Sequence, residues 1–202
     1  MVQVVHVVES SGEAQDRASV LRLEDATVLL VADGSGGMSG GAQAAESALR
    51  EISEAARRSK LSDQASWLTM LADADAVLAR SPGQCAIVAT AIVGGRLVGA
   101  SVGDCGAWLI AENGIEELTA DQVRKPLLGS GEAVPVAFES ALRDATLLLA
   151  TDGLLKYARR DRIAALARAY MDLQVAARGL AELPRLRSGA LPDDVGVILC
   201  RR

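Results

Sequence analysis

Four acidic positions in this chain share one local pattern, in which an apolar run gives way to a carboxylate beside a glycine or a second carboxylate. They are Asp33–Gly34 in LLVADGSGG, Gly103–Asp104 in ASVGDCGAW, Asp152–Gly153 in LLLATDGLL and Asp193–Asp194 in LPDDVGVIL. A carboxylate placed where a buried strand ends is held by rigid backbone at the rim of a sheet, and the neighbouring glycine lets the chain turn while exposing a carbonyl oxygen. Such oxygen donors suit hard cations. Taken singly, each position is also an ordinary turn, because Asp-Gly is among the commonest turn dipeptides. Taken together they carry weight, since clustered carboxylates repel one another and rise in pKa unless a cation sits among them. With no suitably placed His or Cys beside them, the expected ion is Mg²⁺ or Mn²⁺ and not zinc.

Other chemistries begin at a disadvantage. The single histidine, His6, lies in an apolar stretch of alternating strand character and is expected to be a strand residue. Cys85, Cys105 and Cys200 are odd in number, far apart and lack C-x-x-C spacing, which predicts reduced thiols in a cytoplasmic protein and excludes a disulfide scaffold or zinc ribbon. A formal charge of -5, from 21 Lys plus Arg against 26 Asp plus Glu, supplies no basic field for nucleic acid or an anionic membrane. The apolar stretches fall short of the roughly 20 residues that span a bilayer, and MVQVVHVVES lacks the charged region of an export signal. The length of 202 residues suits one domain spanning 1–202, and a chain that is 50% hydrophobic but 2% aromatic must build its core from Leu, Val, Ile and Ala.

The elements that must position the acidic residues are legible in outline. Val2–Val8, Ser19–Leu23 and Thr27–Ala32 read as strands. After the glycine-rich turn Asp33–Gly41, the spacing of Ala44, Ala45, Ala48, Leu49, Ile52, Ala55 and Ala56 predicts a helix over 42–60. A second helix, capped by Asp63, carries Trp67, Leu68, Leu71, Ala74, Val77 and Leu78 up to the Ser81–Pro82–Gly83 break. Short runs with Gly94–Gly95 and Asn113–Gly114 hairpins then predict an antiparallel meander over Cys85–Val93, Arg96–Val102, Cys105–Ala111 and Ile115–Leu118. Strands at Val134–Phe138 and Ala145–Ala150, helical segments near Asp161–Tyr170 and Leu173–Leu183, and a last strand at Val195–Cys200 complete the chain. Strands in hairpin blocks and helices in pairs argue for α+β layers over an alternating βαβ sheet.

In order along the chain, LLVADGSGGMSGGAQAAE, GGRLVGASVGDCGAWLIAENGIEELTADQ, ATLLLATDGLL and PDDVGVILC resemble the successive motifs of the metal-dependent PP2C-type (PPM) protein serine/threonine phosphatases, in their compact bacterial form. A weaker match, GEAQDRASV, stands in the place of the first acidic motif, so the resemblance runs from about residue 12 to 200. It implies an α+β fold, a four-layer α/β/β/α sandwich of two antiparallel sheets flanked by helix pairs. It also implies a binuclear centre of Mn²⁺ or Mg²⁺, in which Asp33 bridges the ions, Gly34 offers its carbonyl oxygen, and Asp152 and Asp193 complete one shell. Asp16 corresponds to an outer carboxylate that orders water, and Asp104 to the aspartate that in bacterial members helps hold a weaker third ion. Two such ions about 3.5–4 Å apart activate water for attack on phosphorus and neutralise charge on the phosphoryl oxygens, so the protein itself need not supply a nucleophile. The implied substrate is phosphoserine or phosphothreonine on a regulatory protein paired with a cognate kinase.

The chain departs from that pattern at several points. Ser11 stands five residues before Asp16, where the family usually carries a phosphate-clamping arginine. Loss of a bidentate guanidinium predicts weak affinity for small phosphoesters unless another cation substitutes; Arg17, Arg124 and Lys125 are the candidates, with Arg17 favoured by its proximity to Asp16. Gln15 and Ser35 replace an acidic residue and a histidine, while Asp194 and Gly196 stand where Asn and Thr or Ser are common. The stretch between Thr119 and Leu147, where the family usually has a mobile flap, is short.

Two other readings compete. A nucleotide site at Gly34–Gly41 fails on spacing, because GSGGMSGGA matches neither G-x-G-x-x-G nor a P-loop, and Asp33 would face phosphates with like charge. A catalytically degenerate module that binds a signalling partner through its former active face is favoured by the missing arginine and short flap. The joint presence of Asp33, Asp152 and Asp193 opposes it.

Overall fold

The computed structural model describes residues 2–36, 40–169 and 171–202; the middle of the predicted glycine-rich turn and the predicted helix end at Tyr170 lie outside the described residues. The elements are β1 (Gln3–Glu9), β2 (Arg17–Arg22), β3 (Ala26–Ser35), α1 (Gly40–Ala56), α2 (Gln64–Leu78), β4 (Gln84–Val93), β5 (Arg96–Val102), β6 (Gly106–Ala111), β7 (Gly114–Glu117), β8 (Val136–Ala141), β9 (Thr146–Ala150), α3 (Asp152–Leu155), α4 (Arg160–Ala169), α5 (Leu173–Glu182) and β10 (Val195–Arg201). They form two five-stranded antiparallel sheets, ordered β1-β10-β9-β6-β7 and β2-β3-β4-β5-β8.

Three apolar layers hold four structural layers together. Alternation in β3 sends Leu30 and Ala32 toward α1 and α2, where they meet Ala45, Ile52, Trp67 and Leu71. Leu29 and Val31 point the other way, into the space between the sheets, against Leu147, Leu149 and Ile198. On the far side, Leu148, Val197 and Leu199 pack on Ile163, Ala176 and Leu180 of α4 and α5. The inner strands β3, β4 and β9 are therefore covered on both faces, which explains why they read as near-continuous apolar runs. The predicted α+β sandwich with flanking helix pairs is the observed architecture.

Asp63 caps α2, its side chain accepting from the Ala65 amide. His6 is an exposed β1 residue opposite Ile198, and the three cysteines are buried free thiols.

The predicted single meander over 85–118 is corrected. β4 and β5 pair in one sheet while β6 and β7 pair in the other, and β6 takes β9 as its second neighbour. The chain changes sheet at Gly103, whose φ of +82° permits the reversal. Hairpin signals identify each pair of strands, but hairpins of one sheet and of two sheets look alike locally. Other boundaries differ too: the strand expected at Val134–Phe138 is Val136–Ala141, and the helix expected over 42–60 ends at Ala56. β3 runs on through Asp33 and Gly34 to Ser35, and Asp152 opens the short helix α3 instead of lying in a turn.

Candidate metal centre and active site

The polar site forms where the rows facing the space between the sheets run out of apolar residues. In β3, Asp33 continues the row of Leu29 and Val31; after β9, Thr151 continues Leu147 and Leu149; before β2, Asp16 continues Ala18 and Val20. Period-two geometry thus brings residues far apart in sequence to one rim of the sandwich. A cavity of about 390 Å³ there is lined by Asp33, Gly34, Asp104, Asp152 and Asp193 together with Arg124 and neighbouring residues.

Asp33, Asp104 and Asp152 are the tightest group, with one carboxylate oxygen from each lying within 4.8 Å of the others. Close backbone approaches fix them. A methyl on Gly34 would come 2.2 Å from the Gly41 carbonyl oxygen, so the end of β3 abuts the start of α1 without room for a side chain. A methyl on Gly153 would come 1.8 Å from the Asp194 carbonyl oxygen, so α3 rests directly on the Asp193–Asp194 turn. Asp104 follows the sheet crossover at Gly103, which packs on Ala86, the residue paired with Asp33 across β3 and β4. Asp193 lines the same cavity outside the tightest group, and its charge acts on both Asp33 and Asp152.

Electrostatics follow from this crowding. Burial, then the charges of Asp152, Asp193 and Asp104, push the Asp33 carboxyl well above the usual carboxylate range. Asp152 is raised as well, by burial and by Asp104 and Asp193, with Lys156 and Arg124 opposing. Asp16, only 2% exposed, is raised by burial and the Asp33 charge. Its Oδ2 accepts from the Thr151 hydroxyl at 2.7 Å, while Thr151 Oγ1 accepts from the Gly196 amide at 2.8 Å.

These residues fit a divalent cation. The donors are hard carboxylate oxygens, at least three within reach of a common centre, and their mutual repulsion is the kind that a small multiply charged ion removes.

By sequence the chain matches no protein-family model and no curated protein. Its structure does resemble solved ones. It is similar to the serine/threonine phosphatase of S. agalactiae, at 17% identity over 100% of this chain and 99% of that one, with a TM-score of 0.87. It is similar to the PPM Ser-Thr phosphatase MsPP of Mycobacterium smegmatis, solved in complex with cacodylate, at 20% identity over 98% and 97% of the two chains, with a TM-score of 0.80. The catalytic domain of the serine threonine protein phosphatase PstP, solved in complex with 2 manganese ions, matches at 18% identity over 100% and 99%, with a TM-score of 0.82. The fold is that of the PP2C-type phosphatases.

Within this PP2C-type fold, sequence reasoning identified Asp33, Gly34, Asp104, Asp152 and Asp193, which all line one cavity, and Asp16, which lies buried behind it. The preference for Arg17 as substitute cation is corrected. Arg17 Nη1 donates to the carbonyls of Ala14 and Asp16, both at 2.8 Å, and the side chain stays on its own loop outside the cavity. Its short distance from Asp16 in sequence was misleading, because adjacent residues of an extended chain point to opposite sides.

Three supporting residues were missed. Thr151 gave no signal beyond its position before Asp152. Asp194, part of the fourth acidic motif but given no role of its own there, accepts from the amides of Ser11 and Gln15, both at 2.6 Å, and from the hydroxyls of Ser10 and Ser11 at 3.1 and 2.9 Å. Burial raises its pKa, but these donors outweigh burial and hold it below the usual range. Asp75 sits on the buried stripe of α2 beside Ala74 and Leu78, and an acid at a stripe position is a signal that could have been used.

Proposed function

We propose that this chain is a divalent-metal-dependent phosphatase that hydrolyses phosphoserine or phosphothreonine on a regulatory protein. The observation that carries this reading is the convergence of Asp33, Asp104 and Asp152 at the sheet rim of a PP2C-type fold. Manganese or magnesium bound there would activate water and neutralise charge on the phosphoryl group. Asp33, Asp152 and Asp193, with the Gly34 carbonyl, are the residues that would hold two ions, and Asp104 with Asp152 would hold a weaker third. Asp16, held in the interior by the Thr151 hydroxyl, would be the outer carboxylate that orders metal-bound water. The cavity is open enough for a phosphorylated side chain on a protein surface and has few apolar walls that would grip a small organic ester. The 119–147 segment is the reduced flap of a domain that spans 1–202.

The test is hydrolysis of phosphoserine and phosphothreonine peptides with Mn²⁺, Mg²⁺ or EDTA, with Asp152→Ala beside the parent. Turnover should require the metal and fall at least about a hundredfold in the variant. One observation favours a second reading, the catalytically degenerate partner-binding module: Ser11 turns its hydroxyl to Asp194 and leaves no cation at its own position. Tight binding of a phosphoprotein without turnover in any metal would select that reading.

A further inference from the structure

Among the described residues, the cavity gathers six carboxylates, those of Glu13, Asp33, Asp104, Asp152, Asp193 and Asp194, against two cationic side chains, Arg124 and Lys125. Arg124 is the one engaged. Its Nε donates to Asp104 Oδ2 at 2.7 Å, and its Nη2 stands 3.8 Å from Asp152 Oδ2. A guanidinium has five N–H donors; among the described residues, those on Nη1 and Nη2 have no hydrogen-bond partner. The side chain is 71% exposed, so these donors face the mouth of the cavity.

The backbone that carries Arg124 is tied down. Cys85 and Leu128 exchange both backbone hydrogen bonds, at 2.9 and 3.0 Å. The Asp75 carboxylate accepts the amides of Gly129, Gly131 and Ala133 at 2.6, 3.2 and 3.1 Å. Before Arg124, the Gln122 side chain accepts from the Ser101 hydroxyl and donates to the carbonyls of Val123 and Val134. A fixed backbone bearing a free-ended guanidinium at the mouth of an anionic cavity is preorganised to bind an anion that enters together with cations.

We infer that Arg124 grips the phosphoryl group of the substrate, supplying from the segment between β7 and β8 the guanidinium that Ser11 does not supply from the N-terminal loop. This rests on the phosphatase reading for its substrate. An ion pair as exposed as Arg124–Asp104 is weak. Once Asp104 and Asp152 are neutralised by bound cations, a phosphate dianion is the stronger partner, offering two oxygens to the planar fork.

The experiment uses the full chain loaded with Mn²⁺ and measures inorganic phosphate binding by calorimetry alongside phosphopeptide kinetics, for the parent, Arg124→Ala, Arg124→Lys and Lys125→Ala. Arg124→Ala should weaken phosphate binding and raise KM about tenfold or more while kcat changes less, and Arg124→Lys should recover part of the loss. The inference is overturned if phosphate binding and KM in Arg124→Ala equal those of the parent, or if Lys125→Ala carries the loss instead. A parent that binds phosphate through Arg124 and hydrolyses no peptide upholds Arg124 and removes the catalytic reading. An Arg124→Ala variant that binds phosphate and hydrolyses peptide as well as the parent does the reverse.

Discussion

Thr151 and Asp16, 135 positions apart, are joined by a buried 2.7 Å hydrogen bond that links the end of β9 to the approach of β2. The Thr151 oxygen simultaneously accepts the Gly196 amide at 2.8 Å, so one hydroxyl ties together three chain segments that each deliver an acidic residue to the rim. Asp16 stands behind Asp33, Thr151 precedes Asp152, and Gly196 follows the Asp193–Asp194 turn.

Removing that hydroxyl with Thr151→Val leaves the Gly196 amide and an Asp16 oxygen buried without this partner. The expected cost is about 1–3 kcal/mol, read from urea denaturation of the metal-free protein. Thr151→Ser keeps the hydroxyl and should recover most of it. A Thr151→Val protein as stable as the parent would show that the network contributes nothing net.

Asp194 gathers the 10–15 loop by accepting from two backbone amides and two hydroxyls. Asp194→Ala should cost about 2 kcal/mol and speed hydrogen exchange at the Ser11 and Gln15 amides. The carboxyl is held below its ordinary pKa, against burial, by those donors. Its contribution is therefore present above the ordinary Asp pKa and is lost as pH falls through the lower folded value. The stability gap between parent and Asp194→Ala should narrow at acid pH; a gap independent of pH would contradict this account.

Gly153 is required by contact. Because a methyl there would lie 1.8 Å from the Asp194 carbonyl oxygen, Gly153→Ala must push α3 away from the Asp193–Asp194 turn. A loss of roughly 3 kcal/mol is expected from overpacking against backbone, together with weaker Mn²⁺ binding by calorimetry. Wild-type affinity in the variant would mean that Asp152 and Asp193 do not act together.

The thiols should be inert in the folded state. Burial pushes Cys200 up to about 12, partly offset by Arg22, and drives Cys85 and Cys105 upward as well. Alkylation of the native protein at pH 8 should be roughly a hundredfold or more slower than in urea. The sign of the linkage is opposite to that of Asp194: the contribution of Cys200 is full below the unfolded thiol pKa of 9.0 and is lost as pH rises toward about 12. Rapid native labelling would refute the burial argument.

Much of this was legible locally. Period-two runs, helical stripes and hairpin dipeptides gave the strands and helices within a few residues, and the conjunction of four acidic motifs pointed to Asp33, Asp104, Asp152 and Asp193. Which of Arg17, Arg124 and Lys125 faces the cavity was not legible, because proximity along an extended chain says nothing about the side a residue faces. The 85–118 segment read as one sheet because a change of sheet at Gly103 leaves the same local pattern as a turn within one.

By itself, the order of residue types determined which elements form, which faces are apolar, and which carboxylates end the strands, since those properties depend on neighbours a few positions apart. Only the tertiary structure decided that Asp33, Asp104 and Asp152 converge, that Thr151 anchors Asp16, and that Arg124 and not Arg17 reaches the cavity. Those relationships depend on which strands share a sheet and how the two sheets are stacked, and burial of both faces of the central strands selects that arrangement across the whole chain.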